Sequence, residues 1–309
     1  MAYYLALDGG GTKTRCVLAD EKLVLARSMT GGSNLVRLGE THTKEVLRNA
    51  VYETCASARI LPAQIKAVCI GAAGAARPEI ADKIRQIFVD LIPGISPANL
   101  EVVGDTVIAL EAAFGAGPGV IAVAGTGSIA YGRDQTGHLA RAGGWGFAVS
   151  DEGSGHWIGQ SAIFAILRAH DEGRETALTS KIFEAWKIGT IDELVQVANA
   201  APTPDFPRLF PIVLRASDEG DVDARELLAE AGLKLADLAT TVIDRLSPPN
   251  STLATRYFLP VAMTGSVFRQ SASIRQIFYN TLQKSFPGIE VRQGLVDPVE
   301  GALARARQK

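Results

Sequence analysis

Cysteine, histidine and an excess of charge of one sign are all scarce in this sequence of 309 residues. The three cysteines, Cys16, Cys55 and Cys69, form no C-x-x-C pair, which disfavours a disulfide framework and a zinc site and favours a reducing compartment. The four histidines form no constellation of metal ligands. Because 31 basic residues nearly balance 33 acidic ones and no basic run follows a phosphate backbone, we expect no nucleic-acid partner.

Long apolar runs are absent as well. No segment approaches the length of a membrane span, and the residues before Asp8 lack the basic region of a signal peptide. We therefore expect a cytoplasmic protein without a membrane partner. A hydrophobic content of 47% with 21% charged residues is typical of a globular chain, and the length favours about two domains.

Glycine, by contrast, is abundant, with 31 residues, most of them before residue 160. Glycine at this density indicates repeated tight turns or close approach of the backbone to another group.

The first part of the chain predicts strands that alternate with helices. Residues 3–7, 15–19 and 23–29 have the pattern of three short strands in an antiparallel meander. The predicted elements that follow are a helix over 44–58, a strand over 66–72, a helix over 80–91, a strand over 100–103 and a helix over 107–114.

A similar series begins at Val120, with strands predicted at 120–124, 128–132 and 138–142 around a second glycine turn. Later elements are predicted helices at 156–170, 192–200, 222–246 and 298–308 and a strand near 256–263. The segment 201–211, with its prolines, is predicted as an irregular loop. The repeat indicates two related α/β domains with a boundary near 106–118.

The first motif is Asp8-Gly9-Gly10-Gly11-Thr12-Lys13-Thr14, which follows a predicted strand. Glycines let backbone N–H groups turn toward phosphate oxygens, Thr12 and Thr14 could add donors, and Asp8 could hold Mg²⁺. The alternative is a plain hairpin turn, since Asp-Gly and Gly-Gly are hairpin dipeptides.

The second motif, Gly125-Thr126-Gly127-Ser128, occupies the same place in the second unit. Two such hairpins could hold a triphosphate together. The sequence contains no Gly-Lys dipeptide and no G-x-G-x-x-G, so neither a Walker A loop nor a dinucleotide fingerprint is present.

Asp105 lies directly after the predicted strand 100–103 and before a helix. It could be the general base that accepts a proton from an attacking hydroxyl. The alternative is a helix N-cap, for which aspartate is well suited.

The fourth motif is a glycine-rich segment that runs from Gly143 to Gly159. Gly144, Trp145 and Asp151 could form a sugar-binding wall, because carboxylates accept hydrogen bonds from neighbouring hydroxyls and aromatic rings cover apolar sugar faces. The alternative is a helix start capped by Ser150 or Asp151. For Trp157 we expect a place in the core. His156 is better explained as a surface or buried histidine than as a metal ligand.

The last motif, Thr264-Gly265-Ser266, ends a predicted buried strand. Such a turn could let an adenine or ribose lie against the backbone.

Taken in order, these motifs resemble the actin, Hsp70 and sugar-kinase superfamily, and more closely the BadF/BadG/BcrA/BcrD ATPase family with its N-acetylglucosamine and glucosamine kinases. The resemblance implies two related ribonuclease H-like, actin-like ATPase domains with a central cleft. They would span 1–115 and 116–296, with a C-terminal helix over 297–309 that packs on the first domain. It also implies a homodimer.

The same resemblance implies roles for individual residues. ATP would be held by Asp8, Gly10, Gly11, Thr12, Lys13, Thr14, Gly125, Thr126, Gly127, Ser128, Gly265 and Ser266, and Mg²⁺ by Asp8. The catalytic aspartate would be Asp105. The sugar would contact Asn34, Asp105, Thr126, Gly144, Trp145 and Asp151.

The expected activity is ATP-dependent phosphorylation of the 6-hydroxyl of N-acetylglucosamine, with glucosamine or N-acetylmuramic acid as alternative substrates. Residues 72–76 carry no hydroxyl where N-acetylglucosamine kinases offer a serine, and Ser150-Asp151-Glu152 resembles glucosamine kinases. An ATPase activator of a radical dehydratase is a less favoured alternative, because no cysteine follows Cys69 to hold an iron–sulfur cluster. A sugar-sensing regulator is a further one, for which no DNA-binding helix pair is evident.

Overall fold

The chain divides into two compact units in a computed structural model that describes residues 2–247 and 259–309. Unit 1 comprises Met1–Gly119 together with Val296–Lys309, and unit 2 comprises Val120–Leu295. The last helix of the chain therefore belongs to the same unit as the first strand.

Unit 1 is built on a five-stranded sheet with the strand order β3-β2-β1-β4-β5. The strands are β1 (Tyr3–Gly9), β2 (Lys13–Ala19), β3 (Val24–Gly31), β4 (Ile65–Ala72) and β5 (Leu100–Gly104). The first three strands pair antiparallel, which confirms the predicted meander, whereas β4 pairs parallel with β1 and β5 parallel with β4. Helical crossovers make these parallel pairings possible.

Helices cover both faces of this sheet. They are α1 (Leu35–Leu38), α2 (Glu40–Ala58), α3 (Pro78–Leu91), α4 (Asp105–Phe114) and, at the end of the chain, Pro298–Arg307. One core contains Leu47 of α2 and Phe88 of α3, and the core on the other face contains Ile108 of α4 and Leu303 of the last helix. Unit 1 is thus a sandwich of helices around a mixed sheet.

Unit 2 has a sheet of the same topology. Its strands are β6 (Gly119–Ala124), β7 (Ser128–Arg133), β8 (Leu139–Gly143), β9 (Val261–Thr264) and β10 (Val291–Leu295), in the order β10-β9-β6-β7-β8. When β6 is matched to β1, every strand of unit 2 takes the place of its counterpart in unit 1. The predicted repeat of the first unit is therefore confirmed at the level of strand order.

The helices of unit 2 surround this sheet and bury a large core. They are α5 (Gly155–Asp171), α6 (Ala177–Trp186), α7 (Ile191–Ala198), α8 (Phe210–Asp218), α9 (Val222–Leu246), α10 (Ser266–Gln270) and α11 (Ala272–Ser285). The last helix of the chain, which belongs to unit 1, is called α12 (Pro298–Arg307). The core is centred on the apolar face of α9. Among the described residues no helix is both long enough and apolar enough to cross a membrane.

The predicted elements all have a counterpart, but several elements were not predicted. Helices α1, α6, α8, α10 and α11 and strand β10 are additional. The predicted loop over 201–211 is partly wrong, because a 3-10 turn occupies Phe206–Leu209 and α8 begins at Phe210. Pro211 lies in the first turn of α8, where a missing N–H costs nothing. Residues 256–258 of the predicted strand near 256–263 lie outside the described residues, and β9 begins at Val261.

Candidate active site

The first glycine hairpin joins β1 to β2 at the edge of the sheet of unit 1. The Gly10 N–H donates to the Lys13 carbonyl and the Ser33 N–H donates to the Gly10 carbonyl, both at 3.0 Å. A Cβ on Gly32 would lie 2.4 Å from the Gly11 carbonyl oxygen, so the chain after β3 must have glycine there. The segment Gly32-Ser33 thus packs against the hairpin and holds it in place. Thr12 and Lys13 are exposed at its tip.

Thr14 does not belong to the exposed tip. Its side chain is fully buried, and its hydroxyl donates to Ser33 Oγ at 2.7 Å. This hydroxyl is thus already engaged inside unit 1, and its contact with a phosphate stays a prediction. The Thr14 side chain instead fastens β2 to the turn that follows β3.

Asp8 lies next to the hairpin, at the carboxyl end of β1. Its Oδ2 accepts a hydrogen bond from Arg15 Nη2 at 3.0 Å, across the antiparallel pair that places Asp8 opposite Arg15. Burial raises the pKa of the Asp8 carboxyl, and the Arg15 guanidinium opposes that rise.

Asp105 lies at the same edge of the sheet as the first hairpin. The register places Gly9 of β1 beside Ala72 of β4, and Ala72 beside Gly104 of β5. Parallel strands end at one edge, so the hairpin after Gly9 and the carboxylate after Gly104 are brought together there.

The N-cap alternative for Asp105 is wrong. Gly104 occupies the cap position of α4, and Asp105 is its first helical residue. Asp105 Oδ1 accepts the Thr106 N–H at 3.0 Å, which fixes the carboxylate. Burial, together with the charge of Asp8, raises the pKa of Asp105 to about 6. At neutral pH the group is therefore mainly ionised and able to accept a proton.

Asn34 caps the short helix α1. Its Oδ1 accepts the N–H groups of Val36 and Arg37, at 3.1 and 3.2 Å. This side-chain oxygen therefore already has a structural task, and a contact between Asn34 and a sugar stays a prediction that would fall to its Nδ2 group.

The second glycine hairpin joins β6 to β7 and packs against the start of α5. The Gly125 carbonyl accepts the Gly155 N–H at 2.8 Å, and the Thr126 carbonyl accepts the His156 N–H at 3.2 Å. Ser128 Oγ donates to the Glu152 carbonyl at 2.7 Å. The hairpin and the segment before α5 are therefore bonded to each other. The sequence shows them as two separate motifs and does not indicate this contact.

Asp151 is the buried carboxylate beside the second glycine hairpin. It is 7% exposed and has a positive φ of 72°, which is unusual for a residue with a side chain. A Cβ on Gly127 would lie 2.7 Å from Asp151 Oδ2. Burial raises the pKa of Asp151 to about 6, although the N–H groups of Ser128 and Gly146 bind its charged form.

The capping alternative for Ser150 and Asp151 is wrong. Ser154 is the N-cap of α5, and its Oγ accepts the Trp157 N–H at 3.1 Å. Trp157 packs against the core of unit 2, as predicted. His156 is buried between the rings of Phe147 and Phe206, at 4.9 and 5.2 Å between centroids, which is the second of the two predicted places, surface or interior.

Trp145 is 70% exposed and stacks on an arginine. The Arg141 guanidinium lies 4.1 Å from the centre of the indole ring, and Arg141 Nη2 also donates to the carbonyls of Gly143 and Gly144. Gly144 has a positive φ of 68°, and a Cβ there would lie 2.6 Å from Ile129 Cδ1. The Trp145 ring is thus exposed to solvent on a turn that the hydrogen bonds from Arg141 stabilise.

Gly265 follows β9 at the edge where the second hairpin follows β6. Val123 pairs with Thr264, so the two turns are neighbours. Gly265 has a φ of 108°, and a Cβ there would lie 2.0 Å from the Ala124 carbonyl oxygen. Only glycine fits this backbone contact, and Ser266 then begins α10.

The sequence as a whole decides the family. Residues 5–306 match the pattern of the BadF/BadG/BcrA/BcrD ATPase family. The chain belongs to this family. The resemblance seen in the motifs is thereby confirmed.

Individual relatives and structures agree with this membership. The chain is 30% identical over 314 residues to an N-acetylmuramic acid/N-acetylglucosamine kinase of Clostridium acetobutylicum, covering 100% of this chain and 99% of that protein. It is 27% identical to an N-acetyl-D-glucosamine kinase of Dictyostelium discoideum, covering 98% and 97%. The structure of a candidate N-acetylglucosamine kinase from Chromobacterium violaceum is similar at a TM-score of 0.76 with 28% identity, covering 99% of both chains. The α/β fold with two related units is thus that of sugar kinases.

A member of an ATPase family is expected to use Mg²⁺ with its nucleotide, and Asp8 fits this ion. Within residues 2–247 and 259–309, no group of three or more His, Cys, Asp or Glu side chains could hold a metal alone. Mg²⁺ does not need such a group, because one or two carboxylates suffice when substrate phosphates complete the coordination. The donor set at the first hairpin therefore fits Mg²⁺ that arrives with a nucleotide.

Two charged residues near the first glycine hairpin, Arg15 and Asp297, are not among the predicted site residues. Arg15 binds Asp8 and also Asp297, whose Oδ1 lies 2.7 Å from Arg15 Nη2. A tight hairpin between β1 and β2 would have placed Arg15 opposite Asp8, and cross-strand pairs of opposite charge are favourable. No pattern in the neighbouring sequence indicates that Asp8 or Arg15 lies near Asp297.

Proposed function

We propose that this chain is an ATP-dependent amino-sugar kinase that transfers the γ-phosphoryl group of ATP to the 6-hydroxyl of N-acetylglucosamine. Family membership and the kinases among its relatives support the activity and the class of substrate. The strand register that brings Asp105 to the edge carrying the first glycine hairpin is the structural observation that supports it most directly.

Asp105 is the proposed general base. The sugar 6-oxygen attacks the γ-phosphorus, the bond from that phosphorus to the β,γ-bridging oxygen breaks, ADP leaves, and the hydroxyl proton passes to Asp105. A base with a pKa of about 6 is ionised at neutral pH and lies close to the working pH, which suits proton transfer. The hydrogen bond from the Thr106 N–H keeps one carboxylate oxygen in place, so the other is available to the hydroxyl.

The two glycine hairpins are the proposed phosphate-binding elements. Gly11, Thr12 and Lys13 of the first hairpin would offer backbone N–H groups, a hydroxyl and an ammonium, while Gly10 would contact the phosphates at the turn that its own N–H closes on the Lys13 carbonyl. Gly125–Ser128 would do the same in unit 2. Asp8 and the phosphate oxygens would hold Mg²⁺, which neutralises negative charge on the phosphates when it is bound. Gly265 and Ser266 would contact the adenosine.

Asp151, Gly144 and Trp145 are the proposed sugar contacts in unit 2, with Thr126 beside them. The buried Asp151 carboxylate can accept hydrogen bonds from two neighbouring hydroxyls, and the exposed ring of Trp145 can cover an apolar sugar face. Asn34 is the proposed contact in unit 1.

Glucosamine and N-acetylmuramic acid remain the alternative substrates. One relative is named for both N-acetylmuramic acid and N-acetylglucosamine, and a glucosamine kinase of Vibrio cholerae is 25% identical over 81% of this chain. Ala72, Ala73, Ala75 and Ala76 offer no hydroxyl to an acetamido group. These observations make the nitrogen substituent the part of the sugar to vary in an assay.

An activator of a radical dehydratase is less well supported. An iron–sulfur cluster needs thiolate ligands. Cys16, Cys55 and Cys69 are all buried, and burial raises the pKa of their thiols to about 12, 11 and 12. These cysteines are therefore core residues and are not placed as cluster ligands.

The test is ADP release with ATP and Mg²⁺ against N-acetylglucosamine, glucosamine, N-acetylmuramic acid, glucose and no sugar. We expect the highest kcat/KM with N-acetylglucosamine, and nuclear magnetic resonance of the product should place the phosphate on the 6-oxygen. Faster turnover of another amino sugar would replace the proposed substrate within the same class. ADP release that does not depend on sugar would contradict the kinase proposal.

A further inference from the structure

Arg15 occupies a central place among the charged groups of unit 1. It lies on β2 opposite Asp8, and its side chain is 19% exposed. Its Nη2 lies 3.0 Å from Asp8 Oδ2 and 2.7 Å from Asp297 Oδ1. Nη2 therefore donates a hydrogen bond to Asp8 and forms a close ion pair with Asp297.

Asp297 connects this cluster to the last helix of the chain. It is the N-cap of α12, and the same Oδ1 that binds Arg15 accepts the Val299 N–H at 3.2 Å. Arg15 therefore ties the phosphate hairpin on β1 and β2 to the start of α12.

Helix α12 is in turn fixed to the elements that carry Asp105. A Cβ on Gly301 would lie 2.0 Å from the Ile108 carbonyl oxygen, so α12 and α4 touch through their backbones. Arg305 Nε lies 3.2 Å from Glu101 Oε2, and Arg305 Nη2 binds the other oxygen of that carboxylate. Glu101 lies on β5, which ends immediately before Asp105, the first residue of α4.

The following inference rests on the proposed function. We propose that Arg15 is a positioning residue for phosphoryl transfer: held by Asp297 at the start of α12, it fixes the Asp8 carboxylate beside the first glycine hairpin. The chain of contacts from Asp8 through Arg15, Asp297 and α12 to α4 sets the place of Asp8 relative to Asp105.

The geometry favours positioning over direct binding of phosphate. The Arg15 Nη2 group is paired with two carboxylates of the protein itself, Asp8 and Asp297. The Arg15 Nε is buried and has no hydrogen-bond partner within residues 2–247 and 259–309. A buried donor without a partner lowers stability, so the orientation of the guanidinium toward the two carboxylates is kept at a cost in stability.

Asp297→Asn and Arg15→Met test this inference. The asparagine oxygen still caps α12, because Asn and Asp are similar N-caps, but the ion pair with Arg15 is lost. We expect kcat to fall in both variants, by roughly tenfold to a hundredfold in Arg15→Met, with the KM for the sugar little changed. The double variant should be no slower than Arg15→Met alone, because Asp297 acts through Arg15.

Arg27→Met is the matched control. Arg27 lies on the neighbouring strand β3 and pairs with Glu300 in the first turn of α12, at 2.8 Å, but both side chains are about half exposed and neither contacts Asp8. Arg27→Met removes an arginine–carboxylate pair to the same helix without touching Asp8. Its kcat should therefore equal that of the wild type.

A second readout does not depend on turnover. Binding of ADP is measured by calorimetry with and without Mg²⁺, together with thermal unfolding. If Arg15 fixes Asp8, the increase in ADP affinity caused by Mg²⁺ should shrink in Arg15→Met and Asp297→Asn and persist in Arg27→Met.

Several results would overturn the inference. Unchanged kcat and unchanged Mg²⁺ dependence in folded Asp297→Asn, losses that add in the double variant, or a lower Tm as the only effect would each make Arg15 a structural residue. Should Arg15→Met fail to fold, Asp297→Asn decides alone. A wild type that phosphorylates no sugar would refute the proposed function, and the Mg²⁺ dependence of ADP binding would still decide on Arg15.

Discussion

Asp8 lies near the end of β1 and Asp105 directly after β5, on two strands of one sheet that are separated by β4, and the charge of Asp8 contributes to the raised pKa of Asp105. Sequence patterns were sufficient to select both residues, since each is an acid directly after an apolar strand. The patterns did not indicate that the Arg15 guanidinium pairs with Asp8. They also predict that Thr14 binds ATP, although its buried hydroxyl donates to Ser33. Whether a side chain points out of a hairpin or into it depends on the register of the strands, which residue types alone do not specify.

Asp105→Asn should abolish turnover while leaving ATP binding nearly intact, because an amide cannot accept the hydroxyl proton but keeps the contact with the Thr106 N–H. Steady-state kinetics and calorimetry with ATP check this. Loss of both properties, or of neither, would contradict the assignment of Asp105 as the base.

In the wild type, kcat should fall as the pH drops through about 6, because protonated Asp105 cannot act as a base. The pKa of Asp151 is also raised to about 6, but its protonation should raise the KM for the sugar. A pH profile of kcat in Asp151→Asn is the control: the acidic limb of kcat should persist there, and its disappearance would assign the limb to Asp151.

Asp105→Asn should also stabilise the protein at pH 8. The folded state has a pKa of about 6 against an ordinary value of 3.8, so it binds more protons than the unfolded chain between these values, and stability falls as the pH rises through that window. Removing the charge should raise Tm by about 2–4 °C for each ~1 kcal/mol regained. Thermal scans at pH 8 and pH 4 check this, and a gain at pH 4 as large as that at pH 8 would be inconsistent with the argument.

At the scale of elements, glycine contacts between backbones determine how strands and helices join. Gly265 permits β9 to meet β6, and Gly301 permits α12 to meet α4. The composition predicted close approaches of this kind, but the partner of each glycine lies far away in the sequence. Helices α6, α8 and α11 were missed for a related reason, since tertiary packing decides short helices more than local pattern does.

Gly301→Ala should destabilise unit 1 by about 1–3 kcal/mol, although alanine is the better helix former, because the new Cβ would overlap the backbone of α4. Denaturant unfolding measures this. Gly294→Ala is the control, since a Cβ there meets nothing within 4 Å. Equal stability of the two variants would show that α12 can move away from α4 at no cost.

At the scale of the whole molecule, the three cysteines lie in unit 1 and the three tryptophans, Trp145, Trp157 and Trp186, lie in unit 2. Thiol reactivity therefore reports on unit 1 and indole fluorescence on unit 2.

Native protein should not react with a thiol reagent, because the buried thiols have raised pKa values and the thiolate is the reactive form. All three should react in concentrated guanidinium. Gly301→Ala should lower the denaturant midpoint for thiol exposure. Rapid labelling of a cysteine in the native state would show that unit 1 opens locally, and the modified residue would identify where.

Local pattern determined the strands of the two meanders, the glycine hairpins and the acids at strand ends, because each of these depends on residues adjacent in the chain. The family could be named from the same motifs. Only the tertiary structure decided that Gly9, Ala72 and Gly104 lie side by side, that Asp151 packs on Gly127, and that Asp297 reaches Arg15. These contacts join residues far apart in the sequence, and they form only when sheet pairing and helix packing bring those residues together.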